Sequence, residues 1–208
     1  MARNQEQNDK IRKERKEQIR AEALRQFATQ GLFATRIADI AAGVGMAQGL
    51  LYHYYPSKDM IFVDLIDDAL DKLNKASLYV KDMQASAREK ILFALQELLK
   101  TIETSEQFSD TCRLIAQATN STAIPEDAQQ LIEEKRDIPY EAIATVMAAG
   151  QREGSVIAGD PRMLAILFWT SVNGLAIYYS TRKDAGEMPD YRILAKMFLR
   201  DKVFGEEE

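Results

Sequence analysis

One stretch, Thr35 to Lys58, constrains this chain more than any other; it reads TRIADIAAGVGMAQGLLYHYYPSK. Over Arg36–Ala42, the residues Ile37, Ile40 and Ala41 fall at the i, i+3, i+4 spacing of a buried helical stripe. Thr35 stands where an N-cap belongs, its hydroxyl placed to accept from the first free backbone N–H groups. Gly43-Val44-Gly45 reads as a turn. A second segment, Ala47 to Tyr55, has Leu51 and Tyr55 one turn apart, which sends those two to the core. Gly49, Leu50, Tyr52 and His53 then point outward. Two short helices joined by a glycine turn, the second presenting aromatic and polar groups, form the helix-turn-helix pattern.

The stretch closely resembles the DNA-binding region of TetR-family transcriptional regulators. The resemblance rests on Gly31, Thr35, Ile40-Ala41, Gly45, Gly49, the run Leu51-Tyr52-His53-Tyr54-Tyr55, and Ser57-Lys58. The remainder of the chain resembles the family only in length and helical texture. Ala47 stands where the family usually has Ser or Thr capping the recognition helix, and Leu50 where a small hydroxyl residue is common. The resemblance implies DNA-contact roles for Arg36, Gln48, Leu50, Tyr52, His53, Tyr54 and Lys58. The chemistry of these residues suits them. Gln48 offers a donor and an acceptor to adenine, Gly49 lets backbone come close, and Leu50 can pack on a thymine methyl. Tyr52, His53, Tyr54 and Lys58 can hydrogen-bond phosphates, and Arg36 can reach a base edge or a phosphate.

A net charge of −5 would by itself argue against a nucleic-acid partner. Its distribution reverses that. Residues 1–58 hold ten Lys and Arg against six Asp and Glu; residues 59–208 hold seventeen against twenty-six, so balances of +4 and −9 make up the −5. A basic amino-terminal part on an acidic body is expected where only that part meets phosphates. Lys10, Arg12, Lys13, Arg15, Lys16 and Arg20 cluster early, as a solvated helix face or as a basic arm on DNA. One Cys (Cys112) and one His (His53) provide neither a disulfide framework nor a zinc site, so no metal or cofactor is expected. No apolar run approaching the span of a bilayer and no secretory leader are read, so a cytoplasmic protein without a membrane partner is expected.

The chain in order reads as helices. Ile19, Ala23, Leu24, Phe27 and Ala28 form one stripe, ended by Gly31. A helix opens at Ser57-Lys58 and runs to about Lys81, and Ser86-Ala-Arg-Glu89 is a capping box for the next. Shorter helices follow over about 107–118 and from Pro125, with Pro139 kinking or splitting the latter. Asp160-Pro161 begins the most apolar helix, 161–181, and a last one starts near Pro189. Residues 1–10 and the tail Glu206–Glu208 are expected to be disordered. The fold class is all-α: a three-helix helix-turn-helix DNA-binding domain over 1–56 and, by the resemblance, a helical effector-binding and dimerisation domain over 57–208, about nine helices in all.

A single motif has little surface for tight binding, so a homodimer on palindromic double-stranded DNA is expected. Its interface is expected to take Leu164, Phe168, Val172, Leu175 and Tyr179 with Leu194, Met197 and Phe198. Phe93, Phe108, Tyr140, Met147, Trp169 and Tyr178 are candidates to line the pocket of a small hydrophobic effector. The resemblance implies a ligand-released repressor, not an enzyme. Gly43, Gly45 and Gly49 do not make a phosphate loop, since a helix and not a strand precedes them. No nucleophile or carboxylate accompanies His53 by spacing. The alternatives are a helical interaction module that has lost specific DNA binding, which Ala47 and Leu50 would suit, and an all-α enzyme. Cys112 could also serve as a redox trigger.

Overall fold

In a computed structural model, residues 2–182, 184 and 186–201 are described. They form nine helices and a last helical turn: α1 Ala2–Ala34, α2 Ile37–Gly43, α3 Gln48–Leu51, α4 Lys58–Asp82, α5 Ala87–Thr104, α6 Glu106–Thr119, α7 Glu126–Lys135, α8 Ile138–Arg152, α9 Pro161–Thr181 and α10 Tyr191–Ala195. The fold is all-α. Among the described residues the only β-pairing is one isolated antiparallel bridge, Val156 with Leu199. The amino-terminal residues expected to be disordered are helical from Ala2 on. The tail Glu206–Glu208 lies outside the described residues.

The chain packs as two units that do not coincide with a division at residue 56. One comprises the residues up to Ala69 together with Asp110–Ile132; the other comprises Leu70–Ser109 and the residues from Glu133 on. The first unit is built on α1. Ile19, Ala23, Leu24, Phe27 and Ala28 are buried as the stripe predicts, and Phe27 meets Phe62 of α4 edge-on at 5.7 Å. Gly31, at φ 82°, ψ 163°, breaks the helical path, so the turn 32–34 is a separate piece. Within this unit Arg113 and Gln117 of α6 donate to the Ala28 carbonyl at 3.4 and 3.2 Å.

In the second unit, α5, α8 and α9 pack together with α10. Ser86 and Glu89 form the capping box at the start of α5, where the Glu153 carboxylate also accepts from the Ala87 N–H at 3.0 Å. A Cβ at Gly150 would collide with Val156 and Ala87, so that glycine sets how closely α8 approaches its neighbours. Trp169 donates its indole N–H to the Pro139 carbonyl at 3.1 Å, and Phe168 packs on Trp169 and Phe198. Pro139 splits α7 from α8 by lying in the first turn of α8, where a missing N–H costs nothing. The expected last helix stops at Ala195, because the chain then extends to pair. Ile157 N–H donates to the Phe198 carbonyl and Arg200 N–H to the Ser155 carbonyl.

One reading of α9 is corrected. With 21 residues and a mean hydropathy of 1.3 it is long and apolar enough to cross a membrane by length and composition, contrary to the expectation that no such segment exists. One third of its apolar window is buried within the chain, which is also how a helix packed on one face behaves. Of the eight residues expected at a dimer interface, only Met197 is exposed in the single chain. Leu164, Phe168, Val172 and Phe198 are buried inside a single chain, and Leu175, Tyr179 and Leu194 are half-buried. The exposed apolar face of α9 carries Met163, Ile166, Leu167 and Tyr178, with Ile193 and Met197 exposed beyond it. Because α9 is apolar on most sides, periodicity does not say which side the core takes.

Candidate nucleic-acid interface

Arg36, not Thr35, is the residue that caps α2, and it does so without a side-chain hydrogen bond. The Thr35 hydroxyl turns back and donates to the Gly31 carbonyl at 2.8 Å, closing the break in α1. Ile37, Ile40 and Ala41 are buried, fixing α2 on α1. The turn that follows is a Schellman closure. Met46 N–H donates to the Ala41 carbonyl at 2.8 Å and Gly45 N–H to that of Ala42 at 3.0 Å, with Gly45 at φ +63°. That backbone conformation is what Gly45 supplies. Gly43 answers a different need: a Cβ there would strike the Glu22 carboxylate of α1. Arg25 and Gln26 hold that carboxylate at 2.6 Å each, and Arg25's hydrogen bond above all keeps its titration below the ordinary range.

The second helix is shorter than the Ala47–Tyr55 the sequence suggests. Only Gln48–Leu51 is α-helical, and Ala47 caps it without a side-chain bond. His53 and Tyr54 then donate to Leu50 and Leu51 in tighter turns, at 3.1 and 2.9 Å. Gly49 and the aromatic run are weak helix formers, and Pro56 disfavours helical geometry at Tyr55. The facing is as expected. Leu51 and Tyr55 are buried, while Gln48, Gly49, Leu50, Tyr52, His53 and Arg36 are exposed and Tyr54 is half-buried. Leu50 and Tyr52, 49% and 46% exposed, are large groups for a surface to display. Gln48 and Tyr52 stand one turn apart with their polar ends 3.5 Å from each other.

Lys58 is the exception. Its ammonium donates to the carbonyls of Leu32 at 2.8 Å, Phe33 at 3.2 Å and Thr35 at 3.0 Å. All three of its protons are therefore spent inside the protein, on the end of the α1 region, and the phosphate grip read for it from the sequence is withdrawn. No local pattern around Lys58 points to these carbonyls, which lie more than twenty residues earlier in the chain.

A cluster beneath the second helix escaped the sequence reading. The Tyr55 hydroxyl donates to Asp64 of α4. Arg20 bonds Asp64 at 3.0 Å and Asp68 at 2.6 Å, and Lys16 lies 3.4 Å from Asp64 and 5.0 Å from the centre of the Tyr55 ring. Thus α1, α4 and the end of the second motif helix are joined through one carboxylate. The signal was the i, i+4 acids Asp64 and Asp68 facing the i, i+4 bases Lys16 and Arg20, but their pairing needs the fold.

The six candidate effector residues stand in different surroundings. Tyr140 and Trp169 pair at 6.4 Å beside the Arg162 guanidinium, and Met147 is buried in α8. Phe93 is exposed and leans on Tyr79, Phe108 is half-buried at the start of α6, and Tyr178 is exposed with Arg182 over its ring.

An all-α chain with a glycine-turned helix pair exposing this row defines a helix-turn-helix DNA-binding protein. Residues 19–65 match the family model described as bacterial regulatory proteins, tetR family, and the chain belongs to the TetR family of transcriptional regulators. It is a regulator and not an enzyme. It is 24% identical over 198 residues to the transcriptional regulator RutR of Escherichia coli K12, across 91% of this chain and 82% of RutR. Its fold matches the ketosteroid transcriptional regulator KstR2 of Mycobacterium tuberculosis with a TM-score of 0.72 at 20% identity, over 90% of this chain and 96% of KstR2. It also matches a transcriptional regulator of Saccharomonospora viridis, solved in complex with choline, with a TM-score of 0.69 at 21% identity, over 91% and 100% of the two chains.

Proposed function

We propose that this regulator is a cytoplasmic repressor that binds a palindromic operator as a homodimer and is released by a small hydrophobic effector. The observation that carries the DNA-facing part is the sorting of the second motif helix: Leu51 and Tyr55 inward, Gln48, Leu50, Tyr52 and His53 outward. Gln48 and Leu50 lead into the major groove, and Arg36, Tyr52, His53 and Tyr54 hold the flanking backbone. The second copy docks on the exposed face of α9, through Met163, Ile166, Leu167 and Tyr178, with Ile193 and Met197 at its edge. Gly174 lies in that face with open space around it, so another helix can come close.

For the effector, Tyr140 and Trp169, whose rings pair at 6.4 Å, are the candidates, with Met147 buried two turns further along α8. KstR2 is a ketosteroid transcriptional regulator, and the Saccharomonospora regulator was solved in complex with choline. An apolar ligand suits the present residues better than a cation, because Arg162 already covers the Tyr140 ring at 5.6 Å. Release follows from a shift of population. A ligand that favours one pose of α4, whose residues belong to both units, alters the separation of the two motifs. They must stay about 34–36 Å apart to meet successive major grooves.

The experiment is selection of bound duplexes from a random pool. Two inverted half-sites with centres about one helical turn apart are expected. Recovery of single, unpaired sites would overturn the dimeric reading, and recovery of no preferred sequence would overturn base reading by Gln48 and Leu50.

A further inference from the structure

α1 begins well before the part of it that packs. From Gln7 to Arg15 every side chain is exposed, and burial starts at Ile19. A helix polar on all sides gains little from a core and is held by pairs along its own surface. Lys10 with Glu14 at 3.9 Å and Arg15 with Gln18 at 3.0 Å are such pairs.

The basic side chains of this extension are therefore not equivalent. Lys16 and Arg20 are bound to Asp64 and Asp68, and Lys10 and Arg15 have partners on α1 itself. Arg12 and Lys13 have no ion-pair or hydrogen-bond partner among the described residues. Arg12 also has a defined place. With Asn8 and Ile11 it forms one wall of a groove whose other wall is Leu50, His53 and Tyr54. Asn8 and Arg12, four residues apart on a helix, share that face.

We propose that Arg12, with Asn8 one turn before it, is a further DNA-backbone contact that grips the phosphates flanking the bases faced by the second motif helix. The proposal rests on Gln48–Tyr54 being the DNA-facing surface. Given that surface, a backbone phosphate reached by His53 lies across the groove from the Arg12 guanidinium, which can hold two phosphate oxygens at once. The Asn8 amide can donate to the next. An uncompensated cation gains most from the field of a duplex; Lys16 and Arg20 would first have to abandon their carboxylates. Since Lys58 is consumed by carbonyls, Arg12 is the cation left beside the recognition segment on this side.

The test uses the full chain, a duplex recovered from the random pool and an unrelated duplex, titrated over a range of salt. Arg12→Ala should weaken binding to both roughly tenfold, leave the base preference unchanged, and lower the log–log salt slope by about 0.9 for each copy bound. Arg12→Lys should keep the slope. Lys13→Ala removes the same charge from the neighbouring position outside the groove, and it should change the slope by less than half as much. Wild-type affinity and slope for Arg12→Ala would overturn the proposal while leaving the DNA-facing surface intact. Equal losses for Arg12→Ala and Lys13→Ala would overturn it too, as an effect of overall charge. A wild-type chain that binds neither duplex overturns the proposal and the surface together.

Discussion

The Tyr55 hydroxyl donates to the Asp64 carboxylate and so fastens the end of the DNA-facing segment to α4. Burial works to raise Asp64's titration, but the Tyr55 hydroxyl, Arg20 and Lys16 outweigh it and hold the carboxyl below its ordinary value of 3.8. Burial first, and the same hydrogen bond second, push the Tyr55 phenol upward. Tyr55→Phe keeps the buried ring and removes only the donor. It should lower the stability of the chain by about 1–2 kcal/mol in urea unfolding and weaken operator binding in step. Unchanged stability would mean that Arg20 and Lys16 hold Asp64 without it.

The sign of the pH effect follows from Asp64. A carboxyl whose folded value lies below the unfolded one, about 3.9, contributes stability that is fully present above that pH. The contribution is lost as pH falls through the lower folded value. Asp64→Asn should therefore be less stable than wild type at neutral pH, with a gap that narrows as the pH is lowered into and below the ordinary carboxylate range. Urea midpoints across that range give the answer; a constant gap would remove Asp64 from the acid limb.

Lys58→Ala should behave as a fold variant. Three carbonyls lose a shared charged donor, which should cost about 2 kcal/mol of stability. Binding at saturating stability, with the chain kept folded by low temperature, should show the wild-type salt slope. A slope lower by about 0.9 per copy would return Lys58 to the phosphate contacts.

Cys112 should be inert. It is half-buried, and burial pushes its thiol up to about 12, so the thiolate that would be oxidised or alkylated is scarce at neutral pH. Iodoacetamide at neutral pH should label it slowly in the folded chain and rapidly in denaturant. Rapid labelling of the folded chain would reopen a redox role.

What the sequence made legible was local. The stripe Ile19–Ala28, the Gly31 break, the Ser86–Glu89 box, the Asp160-Pro161 entry and the inward pair Leu51 and Tyr55 all follow from spacing and turn chemistry within one or two turns of chain. What failed was each reading that needed a partner far along the chain. Lys58 finds carbonyls around Leu32. Thr35 is a local failure of another kind, since its hydroxyl bonds back one turn to Gly31 in place of capping forward. The core side of α9 is chosen by α5 and α8, since a helix apolar nearly all round carries no facing signal of its own. The six aromatic and Met candidates were drawn from composition, which says nothing about convergence on one cavity.

The faces of α9 give a final prediction that separates packing within a chain from packing between chains. Buried Phe168 and exposed Gly174 lie on opposite sides of the same helix. Phe168→Ala should cost about 3–5 kcal/mol in unfolding, because it empties a site touching Trp169 and Phe198. Gly174→Glu should cost the single chain nothing: a Cβ there meets no atom within 4 Å, and glutamate favours a helix more than glycine does. In a dimer through this face, however, each copy would bury a carboxylate against an apolar helix without a partner. Light scattering should therefore find Gly174→Glu monomeric with wild-type helicity, and its operator affinity should fall to that of one motif. A dimer of wild-type size would show that the second copy docks elsewhere, and that Met163, Ile166, Leu167 and Tyr178 are exposed for another reason.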